Sequence, residues 1–168
     1  MISIYEIMKK LYRERVGVYI FKDDKLVVGK IKTSSWSGYI VPGGGVDPRE
    51  SLEDAAIREV KEELGISIKN LKLLSKNIKI KYSEINKFNK KYEHYSGYNN
   101  SFFVAEYNNE DKSIFNSEGD GFDIKEVTIS ELINFFKQHA KNCDNKNDTF
   151  NRDTALQHIN NLKKIHKG

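Results

Sequence analysis

Cysteine occurs once in the 168 residues, at Cys143, so the chain can form no internal disulfide and has no cysteine pair for a structural zinc. It suits a reducing compartment. Proline occurs only at Pro42 and Pro48, and the 11 glycines follow no triplet period, which excludes collagen-like and proline-rich architectures. Long apolar runs are missing too: Val16 to Phe21 falls far short of the roughly 20 residues that a membrane-spanning helix needs. Between Met1 and Arg15, the charges of Glu6, Lys9, Lys10, Arg13 and Glu14 leave no apolar core for a signal peptide. A cytoplasmic protein without membrane contact is expected. Charge of one sign is also scarce, since 28 Lys and Arg against 24 Asp and Glu leave a net charge of +4. Such an excess favours anionic small molecules or weak nucleic-acid contact without demanding either.

What is present, 38% hydrophobic and 31% charged residues, is enough for one domain with a core. Residues 1–140 are expected to form that domain, 141–150 a linker of Asn, Asp and Lys, and 151–168 a final helix docked on it through Ala155, Ile159 and Leu162. Alternating apolar residues flank Lys22-Asp23-Asp24-Lys25, which predicts a hairpin over 15–32. Tyr39-Ile40-Val41 reads as a strand running into a glycine loop, Pro42 to Gly45. Ser51 with Asp54 three residues on marks a helix start, and Gly65 a stop, so 51–64 is predicted helical with Ile57, Val60 and Leu64 as its buried stripe. Further strands are expected around Leu71 to Tyr82 and Ser101 to Tyr107, and a helix over Ser130 to Ala140.

Within the first helix, Glu59, Glu62 and Glu63 stand at i, i+3 and i+4, which places three like charges on one face. A divalent cation would relieve their repulsion, because carboxylate oxygens completed by water and phosphate are the usual ligands of Mg²⁺. The alternative is a solvated acidic face paired with Arg58 and Lys61. Gly44, then Glu50, then Arg58-Glu59-Val60-Lys61-Glu62-Glu63-Leu64-Gly65-Ile66 match every fixed position of the Nudix box at its spacing, and on these residues the chain resembles the Nudix hydrolases.

The resemblance implies an α/β fold, the Nudix-type α/β/α sandwich with a mixed β-sheet between helices. It also implies hydrolysis of a nucleoside diphosphate linked to another moiety, by attack of a metal-activated water on phosphorus. Glu59, Glu62 and Glu63 then become metal ligands and catalytic carboxylates, with a backbone carbonyl of Gly43 or Gly44 beside them. Arg58 becomes the residue that orients them, with Glu50 as its partner. The expected cation is Mg²⁺, with Mn²⁺ as its substitute. A further carboxylate is implied downstream, where the loop Ser117 to Gly121 offers Glu118 first and Asp120 second, unless that loop is only an exposed acidic turn.

Substrate contacts are less marked. Tyr82 falls sixteen residues after Ile66, where family members that cleave dinucleoside polyphosphates carry a tyrosine. Lys79 and Lys81 open a stretch in which cations interleave with Tyr82, Phe88, Tyr92, Tyr95 and Tyr98, and Trp36 precedes the glycines. That mixture suits a nucleotide lip, an RNA-contacting surface or a lysine-rich solubilising loop. A nucleoside triphosphate or dinucleoside polyphosphate is the favoured substrate, for a monomer or homodimer. An RNA-directed, decapping-type enzyme and a catalytically silent nucleotide-binding module are the rivals. Three of the histidines, His139, His158 and His166, show no ligand spacing and carry no expectation.

Overall fold

A computed structural model describes residues 3–4, 11–32, 37–82, 95–110, 122–144 and 149–168. The long strand β1 (Tyr12–Lys22) turns at Asp23, whose φ of 56° takes the left-handed bend, into β2 (Lys25–Lys32). The expected hairpin is there. The two strands pair only near the turn, Ile20 to Lys22 with Lys25 to Val27, and then diverge. Into that fork come β3 (Ser37–Ile40) against β2 and β4 (Gly43–Gly45) against β1. After the helix α1 (Leu52–Leu64), β5 (Ile68–Lys81) runs antiparallel to β6 (Gly97–Tyr107), which lies parallel to β1. The order β3-β2-β1-β6-β5 makes a mixed sheet, with β7 (Asp123–Val127) added to β2. Helices α2 (Ile129–Asp144) and α3 (Thr149–Lys167) follow.

Strand alternation divides the core in two. Val16, Val18 and Ile20 of β1 and Phe103 and Ala105 of β6 face α1, packing on Ala55, Ala56, Val60 and Leu64. Tyr19 and Phe102 face the other way, against Leu132, Phe136 and Ala140 of α2 and Ala155, Ile159 and Leu162 of α3. Helices thus cover both faces of the sheet.

Three expectations need correction. The glycines form a short strand rather than a loop, and none of them has positive φ. What they provide is close approach: a Cβ on Gly43 would stand 2.1 Å from the Val16 carbonyl oxygen. The buried side of α1 omits Ile57, which is 47% exposed, because the helix turns Ala55, Ala56, Val60 and Leu64 to the sheet instead. The polar stretch at 141–150 is partly helical, since α2 continues to Asp144, carrying buried Cys143 one turn beyond Ala140.

Candidate active site

Helix α1 is fixed at both ends. The Ser51 side chain accepts from the Asp54 N–H at 3.0 Å, and Gly65, at φ 64°, donates its N–H to the Lys61 carbonyl at 2.9 Å. At about 100° per residue, Glu59 and Glu63 project into the same sector as Leu52, Ala55 and Ala56, while Glu62 and Arg58 fall on its flank. Two of the three carboxylates therefore point at the sheet and one points out. The Glu59 side chain is only 13% exposed, against 58% for Glu62.

The guanidinium of Arg58 gathers the acidic groups. Its Nε and Nη2 meet the two oxygens of Glu50 at 2.7 and 2.8 Å, a bidentate pair, and Nη2 also donates to the Gly45 carbonyl at 2.8 Å. Nη1 reaches Glu59 at 2.8 Å and Glu62 at 3.2 Å. Arg58 and a backbone hydrogen bond from Asp47 hold the Glu50 carboxyl down to about 2. Glu63 has no place in this cluster. Its Oε2 accepts from the Gly43 N–H at 3.2 Å. Burial pushes its pKa up to about 7; Glu59 and Glu62 add to the rise, while the Gly43 bond and Arg15 oppose it.

Glu59 and Glu63 converge on the glycine strand. A Cβ on Gly44 would lie 2.4 Å from each atom of the Glu59 carboxylate, so a side chain there would push that carboxylate aside. Among the described residues, no three His, Cys, Asp or Glu side chains converge closely enough to enclose an ion as they stand, and Glu62 is held by Arg58. The donor set nevertheless suits a hard divalent cation: carboxylate oxygens on one helix face, two of them beside the same bare backbone, and one costly to ionise without a further positive charge.

Other expected residues lie elsewhere. Tyr82 packs edge-on to Tyr98 at 5.2 Å between ring centres and against Phe150 at 5.3 Å. Lys79 sits over the Tyr12 ring at 5.2 Å, and Lys81 is exposed on edge strand β5. Neither lysine is brought to the carboxylates by any described contact. Trp36, Glu118 and Asp120, with Phe88 and Tyr92, lie outside the described residues.

The sequence reading missed a cavity of about 240 Å³ on the opposite face of the sheet. Arg15, Tyr98, Asn100 and Phe102 form its sheet side, and Phe150, Asn151, Thr154 and His158 of α3 cover it. Gly43 borders it too, so one residue touches this cavity and, through its N–H, Glu63. The hint in the sequence was the row Asn151, Thr154 and His158, polar side chains at helical spacing beside buried Ala155 and Ile159. A larger concavity, about 850 Å³, lies around Phe21 and Tyr107, about 13 Å along β1 from Gly17.

A mixed sheet with helices on both faces and an acidic helix lying on a glycine strand define an α/β scaffold with a carboxylate-rich site. A family model described as NUDIX domain matches residues 11–145, and the chain belongs to the Nudix family. An RNA pyrophosphohydrolase of Ruthia magnifica subsp. Calyptogena magnifica is 39% identical over 70 residues, which are 40% of this chain and 37% of that protein. An ADP-ribose pyrophosphatase of Methanocaldococcus jannaschii is 41% identical over 56 residues, 33% of each chain. The chain thus spans little more than a third of the curated relatives it matches. A solved Nudix hydrolase from Nitrosomonas europaea superimposes with a TM-score of 0.62 over 92% of this chain and 90% of that one, and at 18% identity it shows the shared fold.

Proposed function

We propose that the protein is a pyrophosphohydrolase that cleaves a phosphoanhydride bond in a nucleoside-diphosphate-containing substrate, with Mg²⁺, or Mn²⁺ in its place, held by Glu59, Glu62, Glu63 and the Gly44 backbone. The observation that carries this reading is the placement of Glu59 and Glu63 on the buried side of α1 against Gly43 and Gly44, where burial disfavours the Glu63 charge until a further positive charge compensates it. When bound, the cation supplies neutralisation of phosphate charge and a lowered pKa for the attacking water. The chain's own groups do the positioning. Arg58 anchors itself on Glu50 and Gly45 and holds Glu59 and Glu62 with its remaining nitrogen, so a bound cation would take Glu62 over from it. Glu118 completes the proposed set as a downstream carboxylate. The cavity beside Gly43 would take the nucleoside end, with the Arg15 guanidinium close by for phosphate.

A small nucleotide suits a half-open cavity of this size. RNA is the second reading, favoured by the relatives named RNA pyrophosphohydrolase and by the exposed lysines 69, 72, 76, 79 and 81 along β5. The test is incubation with Mg²⁺ or Mn²⁺ and a panel of nucleoside triphosphates, dinucleoside polyphosphates, ADP-ribose and 5′-triphosphorylated RNA, with the products identified. Glu62→Gln should lower metal-dependent turnover by orders of magnitude without unfolding the protein, since that side chain is exposed. Unchanged turnover in saturating Mg²⁺ refutes the assignment. A steep fall of affinity with salt would favour RNA.

A further inference from the structure

Under the cavity lies a chain of neutral hydrogen bonds that ends on one of its lining residues. Asn161 is fully buried, and its Oδ1 accepts from Gln157 Nε2 at 3.0 Å and from the Ser75 hydroxyl at 3.4 Å. Its amide nitrogen is therefore the end that faces Tyr19, donating to the phenol oxygen at 3.2 Å. With Asn161 as donor, sending the single proton of Tyr19 to its other neighbour, His158 Nδ1 at 2.7 Å, is the arrangement that leaves no buried O–H unmet. Nδ1 is thus an acceptor. The ring proton of neutral His158 must then sit on Nε2, which points away from Tyr19.

The ring has little freedom to exchange these roles. It stacks on Phe136 at 4.4 Å between centres and 12° between planes, and meets Phe102 edge-on at 5.5 Å. Burial, with Arg15 adding to it, keeps His158 neutral by lowering its pKa to about 3. Because Nδ1 is occupied on the buried side and the residue lines the cavity, Nε2–H is left for a ligand, with Arg15 Nε, which has no hydrogen-bond partner, on the sheet side of the same cavity. The walls around it suit a flat ring: Phe102 and Tyr98 from β6, the latter under the Arg15 guanidinium at 4.3 Å, and Phe150 from α3. At about 240 Å³ the cavity is smaller than the ~300–1,000 Å³ of pockets that enclose whole drug-sized ligands, which leaves room for one ring system with the rest outside.

We propose that His158, locked in its Nε2–H tautomer by Tyr19 and Asn161, is a fixed donor that reads a carbonyl oxygen on the nucleobase, so that the cavity selects oxo bases over amino bases. This rests on the nucleotide reading of the site. An amino group at the same ring position sets donor against donor and leaves two buried N–H groups unmet, so inosine or guanine nucleotides should exceed adenine ones by about tenfold or more in kcat/KM. His158 contacts the ligand, whereas Tyr19 is a positioning residue that acts through it.

The test has two arms. In the full-length protein labelled with ¹⁵N-histidine, His158 should show a non-protonated Nδ1 and a protonated Nε2 from pH 8 to pH 5, and inosine should shift the Nε2 resonance far more than adenosine does. In the second arm ITP, which differs from ATP at the 6-oxo position, should be the better substrate mainly through KM. Tyr19→Phe should shrink that ratio toward one and mix the tautomers, an effect that lost packing alone would not produce. A protonated Nδ1, or equal response to inosine and adenosine, overturns the proposal even if the protein hydrolyses nucleotides. Selective inosine binding without hydrolysis of any nucleotide upholds the donor and sinks the pyrophosphohydrolase reading.

Discussion

The two faces of the sheet handle polar groups in opposite ways. On the α1 face they are charged and gathered at a rim, where Arg58 binds Glu50, Glu59 and Glu62 and half-buried Glu63 is left with one backbone N–H. On the α3 face, apart from the Arg15 guanidinium at the cavity, they are neutral: Tyr19, His158 and Asn161 bond to one another beneath it. Buried charge costs several kcal/mol unless it is compensated, whereas a closed neutral network costs little and fixes directions. On the proposed reading the first face receives positive charge, and the second recognises shape and hydrogen-bond pattern.

Gly43 is where the faces meet, so it offers the largest perturbation. In Gly43→Ala the new methyl would stand 2.1 Å from the Val16 carbonyl oxygen and 2.8 Å from Gly17 Cα, both backbone and unable to give way. We expect a loss of about 3 kcal/mol or more, measured by urea denaturation, with metal and nucleotide binding lost together. If the two bindings respond separately, the faces are independent and the link through Gly43 is wrong.

Acid separates the faces next. His158 has a folded pKa of about 3, below the 6.5 of the unfolded chain. The unfolded state therefore takes up a proton first. The stability is whole above pH 6.5 and declines by up to about 1.4 kcal/mol per pH unit below it, toward pH 3. Arg15 is the charged group that opposes the imidazolium, and Tyr19 is the titratable group bonded to the ring. His158→Gln keeps an acceptor for Tyr19 but cannot titrate, so the wild-type and variant stability curves should diverge as pH falls from 6.5. Parallel curves would mean that the histidine is solvated in the folded state.

Glu63 has the opposite sign and a smaller effect. Its folded pKa near 7 exceeds the ordinary 4.5, so its penalty is absent below pH 4.5 and grows as pH rises through 7. Without divalent cation, Glu63→Gln should stabilise the protein at pH 8 by about 1–2 kcal/mol, allowing for partial exposure, and leave it unchanged at pH 4. In Mg²⁺ the order should reverse, as the wild type gains ligand-linked stability that the variant lacks. Calorimetry with and without Mg²⁺ distinguishes these cases, and a variant no more stable than wild type at pH 8 would show that Glu63 is already compensated.

Local chemistry made part of this architecture legible. Ser51 and Gly65 bracket α1, Asp23 turns the first hairpin, and the spacing of Glu59, Glu62 and Glu63 marks one helix face. Which of those carboxylates faces the sheet was not legible, because it depends on how α1 is rotated against β4. The strand β7 was missed because its five residues carry three charges and bury only Val127. The cavity was missed because Arg15, Asn100 and His158 are far apart in the sequence and meet only through the β1–β6 pairing and the docking of α3.

Ile57 gives the smallest effect and the sharpest test of that rotation. Apolar periodicity alone selects Ile57, Val60 and Leu64, and on that basis Ile57→Asp would put a charge in the core. The folded helix instead buries Ala55, Ala56, Val60 and Leu64, and Ile57 is left 47% exposed. An aspartate there would stand four residues before Lys61 and four after Glu53, so its helix-surface interactions nearly cancel. Ile57→Asp should therefore change stability by no more than about 0.5 kcal/mol and leave turnover intact. A loss of several kcal/mol in urea denaturation would rotate α1 by enough to bury Ile57 and carry Glu59 away from Gly44, removing the geometry on which the charged face depends.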